Sequence, residues 1–123
     1  MSSDIDDQFL FLLQDLFDEI EGIRSAAIVS TEGLIVHSIL EEGISELKIA
    51  AMTATILSVA ERVLLELKSG RLDVCIIQGD EGNFAVMEAG RELILAVCLD
   101  LDARWDTVFV EMRKTSDQIK NLT

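Results

Sequence analysis

The sequence predicts an α+β domain of order α-β-β-α-β-β-β-α. One five-stranded antiparallel sheet carries a long helix on one face and two helices on the other. Three observations predict this. A stretch from Glu46 to Ser69 repeats apolar residues at helical spacing, and no charge interrupts Ile49 to Ala60. Short apolar runs lie on both sides of it, and their connecting turns are too brief for a crossover. One run, LILAVCL at Leu93–Leu99, has no polar residue, so both its faces are expected to be covered and its place is central. At 123 residues, with no linker or low-complexity segment, residues 1–123 are expected to form a single domain.

The first helix is expected from Ser3 to Glu21. Ser3 would cap it, Asp4, Asp6 and Asp7 would favour its positive end, and Gly22 would stop it. Phe9, Leu13, Leu16, Phe17 and Ile20 form its core stripe. Arg24–Ser30 and Leu34–Ile39 read as a hairpin. Its turn, Thr31-Glu32-Gly33, needs a positive φ at Gly33.

The long helix would be capped by Ser45 and closed by Gly70. A helical wheel gives it two apolar faces, one through Ile49, Ile56 and Val63, the other through Ala50, Ala54, Leu57 and Leu64. A surface helix ordinarily needs one, so this helix is expected to bury against two things. The Ile49–Ile56–Val63 face is assigned to the chain's own sheet. The other face is assigned to self-association, where its small residues allow close approach.

Leu72–Gln78, Asn83–Ala89 and Leu93–Leu99 follow as a meander joined at Gly79–Gly82 and Gly90–Glu92. Asp100 or Asp102 would cap a last helix ending near Leu122. Its core stripe includes Trp105, Val108, Phe109, Met112 and Ile119.

Acidic residues outnumber basic ones 23 to 10, for a net charge of −13. That field repels phosphate backbones and anionic lipid heads, so nucleic-acid and membrane-surface binding are disfavoured. Solubility of an apolar chain is the plain reason for the acidity. The start, MSSDIDD, is acidic rather than basic, as no signal peptide is. No apolar run reaches the roughly 18 residues of a membrane span. A cytoplasmic protein is expected, with Cys75 and Cys98 as buried free thiols.

Little in the chain suggests catalysis. The single histidine, His37, sits in a hairpin strand without nucleophile or base spacing around it. The cysteines lack a CxxC pattern, and there is no P-loop. Gly79-Asp80-Glu81-Gly82 reads as a hairpin turn rather than a phosphate cradle. The expectation is a binding or assembly module, not an enzyme, without cofactor or metal.

Three segments then resemble the Roadblock family, the dynein light-chain type of domain. IRSAAIVSTEGLIVHS (Ile23–Ser38) resembles its first hairpin, the alanine-rich long helix its second helix, and LKSGRLDVCIIQGDEGNFAVMEAGRELILAVCLD (Leu67–Asp100) its three-stranded meander. The resemblance implies a profilin-like sandwich. It also implies a homodimer in which long helices pack together and third strands pair. That extends the expected interface from Ala50, Ala54, Leu57 and Leu64 to Leu72, Val74 and Ile76. Family members commonly serve as non-catalytic platforms for Ras-like small GTPases, so the implied partner is such a GTPase. Ala51, Thr55, Ser58 and Arg62, on the remaining polar stripe, are the candidate contacts. Arg62 reads as a solvated side chain, with action in trans on phosphate as the alternative. A structural subunit of a motor or membrane-associated complex, without nucleotide dependence, is the second reading. A small-ligand sensor is the third.

Overall fold

A computed structural model describes residues 2–123, with side chains from residue 4 onward. The elements are α1 (Ser2–Glu19), β1 (Ile23–Ser30), β2 (Ile35–Ile39), α2 (Glu46–Glu66), β3 (Cys75–Gln78), β4 (Asn83–Glu88), β5 (Leu93–Leu99) and α3 (Trp105–Leu122). The five strands form one sheet in the order β2-β1-β5-β4-β3, antiparallel at each pairing. The all-apolar β5 is central. The Ser3 side chain, expected to cap α1, lies outside the described side chains.

Strand alternation divides the apolar residues between two layers. Ala26, Ile28, Ala85, Met87, Leu95, Val97 and Leu99 face α1 and α3, where Leu13, Leu16, Ile20, Val108, Met112 and Ile119 complete one core. Ala27, Val29, Val86, Ile94 and Ala96 face α2 and meet Ala50 and Leu57. His37 ties β2 to α1: its Nε2 donates to Asp6 Oδ1 at 3.3 Å, and its ring lies 6.1 Å from that of Phe9.

Four expectations change, each for a physical reason. Helix α2 starts at its Ser45 cap, whose hydroxyl accepts from Lys48 N. It is closed by Lys68, not Gly70. Lys68 takes φ +54°, its N–H bonds Leu65 O, and Ser69 N–H bonds Leu64 O, the paired bonds of a Schellman end.

Strand β3 starts at Cys75 rather than Leu72. Cys75 pairs with Val86, so continuing that register would set Asp73 opposite Glu88. Two carboxylates facing across a ladder repel. Asp73 turns instead to Arg113 on α3, which donates two hydrogen bonds to its carboxylate.

Helix α3 starts at Trp105 after Arg104, not after Asp100 or Asp102, and has no side-chain cap bond. Asp100 is held elsewhere: its N–H bonds Gly22 O at 2.7 Å and its carboxylate faces Arg24. A turn closed by Ala103 N–H to Asp100 O then reverses the chain.

The fourth change is the largest. Ala50, Thr53 and Leu57 of α2 are buried against the sheet and Ala54 packs beside them, while Met52, Val59 and Val63 are exposed. The two apolar faces therefore exchange the roles assigned from the wheel, except at Ile49, which stays half-buried and lines a cavity with Ala27 and Ala96 of the sheet. Both were apolar, and residue size decides between them. Small Ala50 and Ala54 let the helix axis come close to a sheet that presents Ala27 and Ala96.

Candidate functional site

Hairpin β1–β2 and helix α2 build a surface groove together. Ser30 N–H bonds Leu34 O at 2.8 Å and Gly33 N–H bonds Ser30 O at 2.9 Å, so the turn is tightly closed. Gly33 takes φ +89° and lies against α2. A groove runs between them, with Thr31, Glu32 and Gly33 on one wall and Ala51, Ala54, Thr55, Ser58 and Val59 on the other. Thr55 donates its hydroxyl to Ala51 O at 2.9 Å. That bond satisfies the Thr55 hydroxyl within the helix, while the Ser58 hydroxyl on the same wall is exposed.

This groove brings together three of the four candidate partner contacts, Ala51, Thr55 and Ser58. Arg62 is exposed one helical turn beyond Ser58 and does not line it. Sequence reasoning missed the contribution of Thr31, Glu32 and Gly33. A signal was available: a tight turn ending in glycine, paired with an alanine-rich helix, is what close backbone approach requires.

Beside the groove, Met52, Val59 and Val63 expose 52, 55 and 48% of their surface, with Ile56 half-buried between them. Their 3- and 4-residue spacing makes one ridge along α2. Beyond it, β3 is a sheet edge with Ile76 38% and Ile77 44% exposed. Of the residues expected at a subunit interface, Ala50 and Leu57 are interior and Ala54 packs with them. Leu72 packs into the α2-side core and Val74 into the opposite one. Leu64 is half-buried and Ile76 lies on the open edge. The correction follows from the exchanged helix faces and the late start of β3.

The remaining polar groups serve the fold. Arg24 lies 3.5 Å from both Glu41 and Asp100 and donates to Glu81 O at 3.2 Å, tying three loops together. Asp106 accepts from Thr107 N–H and Arg104, which holds its carboxyl below the usual range. Cys75 and Cys98 are free and half-buried rather than buried. Desolvation pushes the Cys98 thiol above the ordinary cysteine range, with Glu41 and Asp100 adding to the rise and Arg24 opposing it. Among the described residues, no three His, Cys, Asp or Glu side chains converge as metal ligands. No helix among them is long and apolar enough to cross a membrane.

A five-stranded antiparallel sheet between one long helix and a helix pair, with a turn packed on the long helix, defines the class. The chain belongs to the Roadblock/LC7 domain family, whose model matches residues 10–99. An uncharacterized protein of Methanocaldococcus jannaschii is 30% identical over 100 residues, covering 81% of this chain and 87% of that one. A second from the same organism is 29% identical over the same shares. The fold is also that of a Roadblock/LC7 domain from Streptomyces avermitilis, with TM-score 0.84, 20% identity and coverage of 90% of this chain and 93% of that one. Myxococcus xanthus MglB gives TM-score 0.86 at 15% identity, covering 94% of each chain.

Proposed function

We propose that this chain is a non-catalytic homodimeric platform that binds a Ras-like small GTPase in the cytoplasm. Family membership supports the partner class, because Roadblock domains commonly serve Ras-like GTPases. The observation that carries the reading is the juxtaposition on α2. A groove between the Thr31–Gly33 turn and α2 adjoins an exposed apolar ridge of Met52, Val59 and Val63, and Val59 belongs to both. The ridge and the β3 edge are the surfaces for self-association. Exposed apolar side chains in a row mark interaction surfaces, and an open strand edge is a template for pairing. The groove remains for the partner. Its walls hold small and hydroxyl side chains together with Val59, and Glu32 is their one charged residue.

The test is titration of the full chain with small GTPases of its host, each loaded with GDP or with a non-hydrolysable GTP analogue. Saturable binding to one nucleotide state is expected, with loss of that binding in Ser58→Arg. If no GTPase binds in either state, the reading fails. Binding indifferent to nucleotide moves the chain to the structural-subunit reading.

A further inference from the structure

The outer end of α3 carries a surface that neither the groove nor the helix ridge uses. Trp105 stacks on Phe109 with ring centroids 5.4 Å apart and planes 29° apart. Together with Ile76 and Gln78 of β3 they line an open groove along the sheet edge, on the side away from α2. Ile77, the next residue, is exposed on the α2 side. The β3 edge is therefore flanked by apolar surface on both faces. We infer that the Trp105–Phe109 pair packs across the seam between two copies of this chain, and closes that seam on the face opposite α2.

The occupant follows from three observations. First, β3 is a terminal strand of the sheet, so its outer N–H and C=O groups pair with no other strand of the described residues. Antiparallel pairing of such a strand with its own copy is self-complementary. It places each copy's Trp105–Phe109 groove beside the two-fold axis. Second, β3 has four residues, and so short a ladder cannot supply the roughly 800 Å² per partner of a stable interface. Trp105 and Phe109 are half-buried in the protomer, Trp105 against the core that α1 and α3 share with the sheet, and the aromatic surface they still expose contributes to the area that the strand lacks. Third, none of the four lining residues is charged, in a chain of net charge −13. An uncharged aromatic seam lets two such acidic chains approach where most of their surfaces repel.

This inference rests on the proposed self-association but adds a residue set that the α2 and β3 surfaces do not contain. Trp105 is the single tryptophan, so its emission reports the seam directly. The experiment follows the wild-type chain through a dilution series, with sedimentation velocity and tryptophan emission measured on the same samples. As the dimer forms, emission is expected to shift to shorter wavelength, and acrylamide quenching is expected to fall several-fold. Trp105→Ala, with unchanged circular dichroism, is expected to weaken dimerisation by about tenfold or more. A dimer whose tryptophan is quenched like that of the dissociated chain overturns this inference and leaves self-association standing. A chain that stays monomeric overturns both. If Trp105→Ala does not fold, the wild-type fluorescence decides alone.

Discussion

Gly33 lies against the backbone of Ala51: a Cβ on residue 33 would stand 3.4 Å from Ala51 Cα and 3.8 Å from Ala50 O. The contact itself would accommodate a methyl group. The backbone would not, because φ at Gly33 is +89°, where an L side chain meets its own carbonyl. Gly33→Ala is therefore expected to cost about 1–2 kcal/mol, read as a lower urea midpoint at unchanged slope. Gly33→Val should cost more, since a branched side chain also fills the groove. A neutral Gly33→Ala would show that the turn is not held in this conformation.

The exchange of faces on α2 is tested by two substitutions six residues apart. Leu57 is 3% exposed and Val63 48%. Leu57→Ala removes buried methyl groups and is expected to destabilise the protomer by about 2–5 kcal/mol. Val63→Lys changes a solvent-facing position and should move protomer stability by no more than about 0.5 kcal/mol, while it weakens self-association in light scattering. The reverse pattern, a stable Leu57→Ala and an unfolded Val63→Lys, would restore the assignment read from the helical wheel.

That exchange marks where sequence information stops. The order of elements and the central place of β5 were legible, because turn residues and an all-apolar strand leave few arrangements. The Gly33 turn and the Ser45 cap were legible for a similar reason: each needs a particular residue type at one position. The direction of α2 was not. A wheel with two apolar faces reports that both avoid water, and the choice depends on the shape of the opposing sheet, which comes from β1, β4 and β5. The length of β3 was hidden likewise. Asp73 and Glu88 are 15 residues apart, and their conflict exists only once the register is known. The groove went unseen because half of it belongs to Thr31, Glu32 and Gly33, a turn that has no apolar pattern.

The Asp73–Arg113 pair fixes the start of β3 to α3. The two hydrogen bonds from Arg113 hold the Asp73 carboxyl below its usual range. A group with a lowered folded pKa contributes its stability above the unfolded value, near 3.8, and loses it as pH falls through the folded value. Both side chains are about half exposed, so a double-mutant cycle with Asp73→Asn and Arg113→Gln is expected to give a coupling of about 0.2–1 kcal/mol at neutral pH. The coupling should hold at pH 5, shrink below pH 3.8, and be weaker at high salt. A coupling that grows on acidification would contradict the pairing.

Thr53 is the buried exception on α2. It is 0% exposed, and its Oγ1 has no hydrogen-bond partner among the described residues. Thr55, two residues on, donates to a main-chain carbonyl and faces the groove, so the two threonines of one helix make a controlled comparison. A hydroxyl buried without a partner opposes folding, and replacing it with an apolar group of the same shape relieves that cost. Valine has nearly the shape and helix propensity of threonine. Thr53→Val is expected to raise stability by about 1 kcal/mol, a shift of a few degrees in Tm for a domain of this size. Thr55→Val exchanges an exposed hydroxyl that has its partner, and should be neutral or slightly unfavourable. Calorimetry of the two variants against the wild type checks the pair. A destabilised Thr53→Val would mean that the hydroxyl has a partner in solution and that the α2–sheet contact is looser than its burial indicates.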